Sequence, residues 1–457
     1  MKTMKDATSE RGSVLARSFP YWFFLAMLLG VVLATLATAG DAAAAGSLSD
    51  IDSGDTAWVL MSAALVMLMI PGLAFFYGGL VRKKNILSIL MQCFMMIGLI
   101  TIQWVLVGYT LSFGPDVGGI IGDLSWFGLR GVGLAPSDYA GTIPHQAFMI
   151  FQAMFAIITP ALIIGAFAER MKFAAFCLFS LLWATFVYDP IAHWVWGGGF
   201  LGADGALDFA GGTVVHISAG VGALAAALIM GKRQGYPEKM SPPHNLPLAA
   251  LGAGLLWFGW FGFNAGSALA SGALSTSAFV ATHISAATAG MTWAFIDWMF
   301  HGKPTMLGMI TGVVAGLVAI TPAAGFVNPV GAIWIGIGAS AVCWPVAILV
   351  KSKLGYDDSL DAFGVHGVGG IWGALATGLW ATTSVNAGGA DGLFYGNPAQ
   401  FLIQIKAVLI TGVYAFAATI LILKLVDLIV PLKATDDEER IGLDVIEHRE
   451  AAYTLID

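Results

Sequence analysis

The chain has 457 residues, of which 58% are hydrophobic and only 11% charged, with a mean hydropathy of +0.82. Soluble domains carry about 25% charged residues, so this composition excludes an ordinary globular enzyme and indicates an all-α polytopic membrane protein. The net charge of −7 comes from acidic loops and an acidic tail; with no basic groove or stripe, it excludes nucleic acid as a partner.

Residues 1 to 20 carry Lys2, Lys5, Arg11 and Arg17, the apolar run YWFFLAMLLGVVL follows, and Ala37-Thr38-Ala39 fits a small-residue cleavage site. Residues 1–39 therefore read as a signal peptide. An uncleaved extra helix is the alternative, and both leave the rest of the chain in the same orientation.

A span needs about 20 apolar residues to cross a hydrocarbon core of about 30 Å. Eleven candidates follow, at 56–80, 86–112, 145–168, 173–196, 210–231, 247–268, 276–300, 305–322, 330–350, 363–383 and 401–431. Alternate loops hold Arg82, Lys83, Lys84, Arg170, Lys172, Lys232, Arg233, Lys239, Lys303, Lys351 and Lys353, against Arg130 on the other side. That asymmetry places the mature N-terminus outside and the C-terminus in the cytoplasm of an inner (plasma) membrane. Glycine is abundant, with 58 residues, and small residues let membrane helices approach closely. Cys93, Cys177 and Cys343 each fall in an apolar span, as small packing residues do.

Two histidines lie inside glycine-rich apolar stretches, each eight residues after an aspartate: Asp208 to His216 in DFAGGTVVH, and Asp358 to His366 in DSLDAFGVH. Each pair opens the fifth span of its half, which predicts two inverted five-helix halves followed by a C-terminal helix. At 1.5 Å per residue, eight residues carry each imidazole about 12 Å from its aspartate, so the two can meet near the bilayer centre. Ionisable groups at that depth usually line a route for something polar, as in a transporter or channel. The bland alternatives are a histidine bonded to a backbone carbonyl, and aspartates, including Asp361, that cap helices. His145, His193, His244 and His283 lack the paired setting and belong at helix ends, in loops or in packing. The absence of CxxCH, HExxH and any cysteine cluster speaks against an enzyme and predicts no metal and no cofactor.

The loop HWVWGGGFLGADGALD, from His193 to Asp208, places aromatic rings among tight turns at the outer mouth and suggests a vestibule. Residues 232–245 and the tail from Lys433 are the sizeable polar segments on the inner side, and so the expected docking surface for a soluble partner.

At FQAMFAIITPALIIGAFAER, VWGGGFLGADGALDFAGGTVVHISAG, HNLPLAALGAGLLWFGWFGFNAGSA and DAFGVHGVGGIWG the chain resembles the ammonium transporter family, in its bacterial and plant Amt/MEP branch. The resemblance runs from about Asp55 to the C-terminus and implies a membrane domain at 55–432 and a cytoplasmic regulatory tail at 433–457. It further implies a homotrimer with one pore through each eleven-helix subunit. By motif position, the outer ammonium-recruiting residues fall on Phe155, Trp196 and Ser267, the phenylalanine gate on Phe155 and Phe263, the twin pore histidines on His216 and His366, and a structural aspartate on Asp208. Phe151, Trp260 and Phe76 match further aromatic positions along the pore. On spacing alone the aromatic residues would be core or interfacial residues, and Ser267 would bond its own helix.

The tail matches the family through Glu438, Glu439, Gly442, Leu443, Asp444, His448, Glu450 and Tyr453, and in many members this region answers to a PII signalling protein. Arg449 departs from the pattern, standing where the family usually has glycine; an unstructured acidic tail is the alternative.

The implied cargo suits these residues. Dehydrating ammonium in a dry lumen costs nominally tens of kcal/mol, and a desolvated cation–π contact returns about 2 kcal/mol. Aromatic rings can concentrate the cation at the mouth but cannot carry it through. Deprotonation, with ammonia passing two imidazoles that each offer a donor and an acceptor nitrogen, avoids the cost. The implied activity is net electrogenic ammonium uptake. The competing expectations are a passive ammonia or carbon dioxide channel, as in the Rh branch, and an ammonium sensor signalling through its tail.

Overall fold

With no water in the bilayer core to bond backbone N–H and C=O groups, an apolar chain of this kind resolves into helices that satisfy themselves. The computed structural model describes residues 47–453 together with residues 22, 25, 26 and 28–34; most of the expected signal peptide, its cleavage site and residues 454–457 lie outside the described residues. In chain order come α1 (Ser53–Leu80), α2 (Ile86–Phe113), α3 (His145–Phe167), α4 (Phe173–Ala203), α5 (Gly212–Met230), α6 (Leu246–Gly266) and α7 (Ala273–His301). They are followed by α8 (Met306–Ile320), α9 (Pro329–Leu354), α10 (a π turn, Phe363–Gly367, continuing as Val368–Trp380) and α11 (Pro398–Ile429). Among the described residues, nine of these are long and apolar enough to cross a membrane. The expected spans at 305–322 and 363–383 appear as α8, only 15 residues long, and α10, where His366 and repeated glycines dilute the apolar content. The chain is a multi-pass helical membrane protein. A two-strand ribbon, Asp116–Val117 paired antiparallel with Ile121–Gly122, is confined to the loop after α2.

Helices α5 and α10 begin alike. The Asp208 carboxylate accepts the backbone N–H groups of Gly211, Gly212, Thr213 and Val214 at 2.7–3.1 Å. The Asp358 carboxylate accepts those of Ala362 and Phe363 at 3.0 and 2.8 Å. Each aspartate thus caps the helix that carries a histidine, matching negative charge to the orphan donors of a helix N-terminus. In both helices the histidine lies within an opening π turn, Gly212–Ile217 or Phe363–Gly367. Further π turns interrupt α4 at Ala184–Tyr188 and α9 at Val346–Val350, the helices that precede each histidine helix, with a short loop between in both cases (204–211 and 355–362).

The two histidine helices cross where both are glycine. A Cβ at Gly220 would collide with the backbone of Gly367, which is not free to move aside. Replacing Gly220 with valine is therefore expected to force α5 and α10 apart, at more than the 1–3 kcal/mol typical of overpacking. Fluorescence-detected gel filtration should show loss of the folded peak for Gly220→Val; a wild-type yield and melting temperature would contradict this packing.

The loops at one end of the bundle are tied by a buried ion cluster. Glu169 accepts from Arg82 through both the backbone N–H (2.8 Å) and Nε (2.9 Å), from Asn85 Nδ2 (3.0 Å), and from Arg233 (3.1 Å). Arg233 also clasps Asp357 with its guanidinium at 2.7 and 2.9 Å, while Arg170, fully buried, donates to the Asp357 carbonyl and Ser359 Oγ at 2.6 Å each. Loops after α1, α3, α5 and α9 thereby become one body.

The tail docks on this body. It forms α12 (Asp436–Ile441), with a capping box between Thr435 and Glu438, and α13 (Leu443–His448). Asn85 Oδ1 accepts from Leu443 N–H at 2.9 Å, Asp444 accepts from Ser88 N–H at 2.8 Å, and Glu439 from Gln234 N–H at 3.0 Å. Lys84 donates to the carbonyls of Glu439 and Arg440, and Lys172 pairs with Glu438 at 3.2 Å. The tail is therefore structured, against the disordered alternative. Arg449, the departure from the family pattern, ends α13 in the left-handed region with φ +58°, a conformation that glycine adopts without strain.

Burial by itself would raise the Glu169 carboxyl, but Arg233 and Arg82 more than reverse it and hold it below its ordinary value of 4.5. A depressed folded-state pKa stabilises fully above the unfolded value and is lost as pH falls through the folded one. Thermal unfolding should accordingly show stability decreasing once pH drops below 4.5. Glu169→Gln should unfold earlier at neutral pH, by about 3–5 kcal/mol for a broken buried pair, and show a smaller acid-induced drop. An unchanged drop would remove Glu169 as its source.

Candidate functional site

Three cavities lie in series through the helix bundle. The outer one, about 330 Å³, is lined by Tyr139, Gln152, Phe155, Trp196, Asp208 and Ser267 among others. The middle one, about 10 Å³, is lined by Phe76, Trp260, Phe263, His216 and His366 with aliphatic neighbours. The inner one, about 290 Å³, shares Phe76 and His366 with the middle cavity and opens among Arg233, Ser241, Asp297, His301 and Asp361. The middle cavity has room for one molecule the size of water or ammonia.

Phe155, Trp196, Asp208 and Ser267 line the outer cavity and Phe76, His216, Trp260, Phe263 and His366 the middle one, whereas Phe151 lines none of the three. Phe155 on α3 and Phe263 on α6 are in ring contact, centroids 4.2 Å apart, and both are essentially inaccessible. They separate the outer cavity from the middle one, and no hydrated ion fits between rings at that spacing. Trp196 stands edge-on to Phe155 at 6.0 Å, its indole N–H held by the Asp208 carbonyl at 2.8 Å. Ser267 donates its hydroxyl to the Phe263 carbonyl at 2.9 Å, the self-bonding alternative, yet this leaves its lone pairs free to accept from a ligand in the outer cavity. Asp208 lines the same cavity, but its carboxylate is occupied by the four N–H groups of the α5 cap. It shapes the mouth through its carbonyl, which orients Trp196.

Below the phenylalanines, His216 is 6.0 Å from Phe263 and 5.4 Å from His366, ring to ring, and its Nδ1 is 3.4 Å from His366 Nδ1. The Nε2 atom of His216 is buried with no hydrogen-bond partner among the described residues. Trp260 stacks on His216 at 5.4 Å, fixed in turn by Thr321 Oγ at 2.9 Å. Phe151 packs edge-on behind Phe155 at 5.0 Å. With one Nδ1 donating to the other, the lumen meets one Nε2 that accepts and one that donates, which suits a small amine that does both.

Of the remaining histidines, His145 meets Tyr109 Oη at 2.5 Å, His193 meets Asp116 at 2.9 Å, and His244 meets the Val81 carbonyl at 2.8 Å and Tyr453 Oη at 2.9 Å. His283 is exposed on α7. Sequence reasoning missed Gln152, whose Oε1 is buried and unpartnered among the described residues at the wall of the outer cavity. Only its place one turn before Phe155 could have marked it. It also missed the ion cluster, since Arg82, Arg170 and Arg233 had served only as topology markers.

The two caps are unequal, four bonds against two. Loss of a capping side chain typically costs about 0.5–2 kcal/mol. Asp208→Ala should consequently lower the melting temperature more than Asp358→Ala, as read by differential scanning fluorimetry; the reverse order would refute the capping assignment.

Residues 57–453 match the Ammonium Transporter Family. The ammonium transporter of Bacillus subtilis is 56% identical over 400 residues, covering 88% of this chain and 98% of the relative, and Amt1 of Archaeoglobus fulgidus is 49% identical over 88% and 99%. The crystal structure of Saccharomyces cerevisiae Mep2 superposes with a TM-score of 0.80 at 37% identity, covering 85% of this chain and 89% of the other. A structure titled Sensor Amt Protein gives 0.79 at 31%, covering 86% and 98%. The chain belongs to the ammonium transporter family.

Proposed function

We propose that this chain takes ammonium from the outer side, strips its proton at the phenylalanine gate, and passes ammonia along the histidine pair while the proton follows by relay. The series of three cavities, closed by Phe155 and Phe263 and joined through two touching imidazoles, is the observation that carries this reading. Trp196 and Phe155 face the cation, Ser267 accepts one of its hydrogen bonds, and potassium, with no proton to surrender, is refused.

The relay balances at the nitrogen atoms. His216 Nε2 takes the proton from ammonium, the Nδ1 proton of His216 moves to His366 Nδ1 across 3.4 Å, and the Nε2 proton of His366 leaves toward the inner cavity. One proton enters and one departs, and the pair is left in the mirror tautomer, to be reset before the next cycle. Net transfer is one ammonium, hence electrogenic.

The chain is read as eleven crossings in two inverted halves plus α11, supported by the matching caps and π turns of α4, α5, α9 and α10. Lysine and arginine on the alternate loops favour a mature N-terminus outside, left when the signal peptide is removed, and a cytoplasmic tail in the plasma membrane. Three copies assemble, each with its own pore, and residues 232–245 with the docked tail offer the surface for a PII-type protein. Arg449, strained where glycine would relax, weakens the hold of the tail.

In proteoliposomes under solid-supported electrical recording, wild-type protein should carry current on an ammonium pulse and none on potassium. His216→Ala and His366→Ala should each abolish the ammonium current or replace it with one that potassium also carries. Unchanged current and selectivity in both variants would dismiss the relay. Ammonia uptake without current in wild type would favour the passive channel, and binding without either flux the sensor.

A further inference from the structure

The outer cavity is far larger than the cargo requires. It measures about 330 Å³, against about 10 Å³ for the middle cavity, which has room for one molecule of ammonia's size. Aromatic side chains from five separate segments line it: Tyr139, Phe148, Trp196, Phe209 and Phe326, besides the gate residue Phe155. These rings are fixed before any ligand arrives. Tyr139 stacks on Phe148 at 5.1 Å and 6°, and its hydroxyl lies 2.9 and 3.3 Å from the carbonyls of Phe113 and Gly197. Phe209 lies so close to Gly325 that a Cβ there would strike its ring, and it stands at 82° to Phe326, centroids 5.6 Å apart. Tyr139 and Phe209 thus each rest one face on protein, which leaves the other for the cavity that both line.

The cavity has no free carboxylate. Asp208 is the one charged residue in its lining, and that carboxylate is spent on the four N–H groups of the α5 cap. The loops on the same side (114–144, 204–211, 267–272, 321–328 and 381–397) nevertheless hold six aspartates and one basic residue, Arg130, a field that draws cations and repels anions. Ring faces attract a cation but return too little to dehydrate a small ion such as potassium. A quaternary ammonium differs. It makes no hydrogen bonds to water, its charge is spread over methyl groups, and those methyls gain by leaving water. Preformed cages of aromatic rings are the general means by which proteins hold such cations.

We infer that the outer cavity binds cations with a trimethylammonium head, choline-like in shape and charge, and that they compete with ammonium there without being transported. Such a head has no proton to give to His216 Nε2, and the gate rings, 4.2 Å apart, close the way to it. The inference rests on the reading of this cavity as the entrance for ammonium and adds a second class of ligand, one that occupies the mouth and goes no further. The same aspartates that favour a cation disfavour a zwitterion with an identical head and a carboxylate, so the site separates choline from glycine betaine.

The test uses the full-length chain purified in maltoside and reconstituted in phosphatidylglycerol and phosphatidylethanolamine, so that neither detergent nor lipid supplies a choline head. Choline should carry no current, and should raise the half-saturating ammonium concentration while leaving the maximal current unchanged. Calorimetry should show choline binding, with weaker binding of glycine betaine and of neopentyl carbinol, which has carbon in place of the charged nitrogen. Phe209→Leu and Phe326→Leu, which leave the recruiting and pore residues in place, should each keep the ammonium current and weaken the choline block roughly five- to thirtyfold. Either variant reads the site if the other fails to fold. Equal binding of choline and neopentyl carbinol would overturn a cation site, and a lowered maximal current at unchanged half-saturation would put choline elsewhere. An ammonium current indifferent to choline would overturn the site and leave the transport reading standing. Choline binding that depends on Phe209, in protein that carries no ammonium current, would overturn the transport reading and leave the site.

Discussion

The close crossing of α5 and α10 at Gly220 and Gly367 is the constraint on which the rest of the molecule depends. Two helices that begin at separate aspartate caps bring their imidazoles to 3.4 Å only because neither has a side chain at the crossing. The π turns add to this, since each widens the helix by one residue where its histidine must leave the regular face, a common device at functional sites. With the pair fixed by backbone contact, the lumen narrows to a space for one small molecule, and the dry walls favour a neutral cargo over a charged one.

A second set of contacts holds the end of the bundle that carries the tail. Arg82, Glu169, Arg170, Arg233 and Asp357 draw four loops together beside the inner cavity, and Asn85 links the cluster to the tail by bonding Glu169 with its amide nitrogen and Leu443 with its oxygen. Arg233 also lines the inner cavity, so the tail reaches the exit of the path through one arginine. Buried charge of this kind adds little net stability over apolar packing, but it makes displacement of any one partner expensive. A docked tail and an ordered exit are thus parts of one structure.

The outer mouth works differently. Asp208 serves two elements at once, its carboxylate capping α5 and its carbonyl orienting Trp196, so the indole at the mouth and the helix that carries His216 share one anchor. Below it, two phenylalanines in contact close the space between the outer and middle cavities by shape, without any charged group. The aromatic mouth, the touching phenylalanines and the paired imidazoles are thus separate along the axis.

Composition and pattern alone determined the membrane class, the positions of most of the apolar helices, the paired Asp-to-His spacing and, through the motif runs, the family, because hydropathy and local spacing are written along the chain. Tertiary structure alone decided the rest. Nothing in the spacing of Asp208 says that its carboxylate is saturated by four N–H groups, nor do Arg82, Arg170 and Arg233 announce that they converge from separate loops on Glu169 and Asp357. Glycines 220 and 367 are indistinguishable in sequence from their many neighbours. Contacts between residues a hundred or more positions apart depend on how helices cross, and helix crossing is set by the shapes of two surfaces meeting, which no single segment contains.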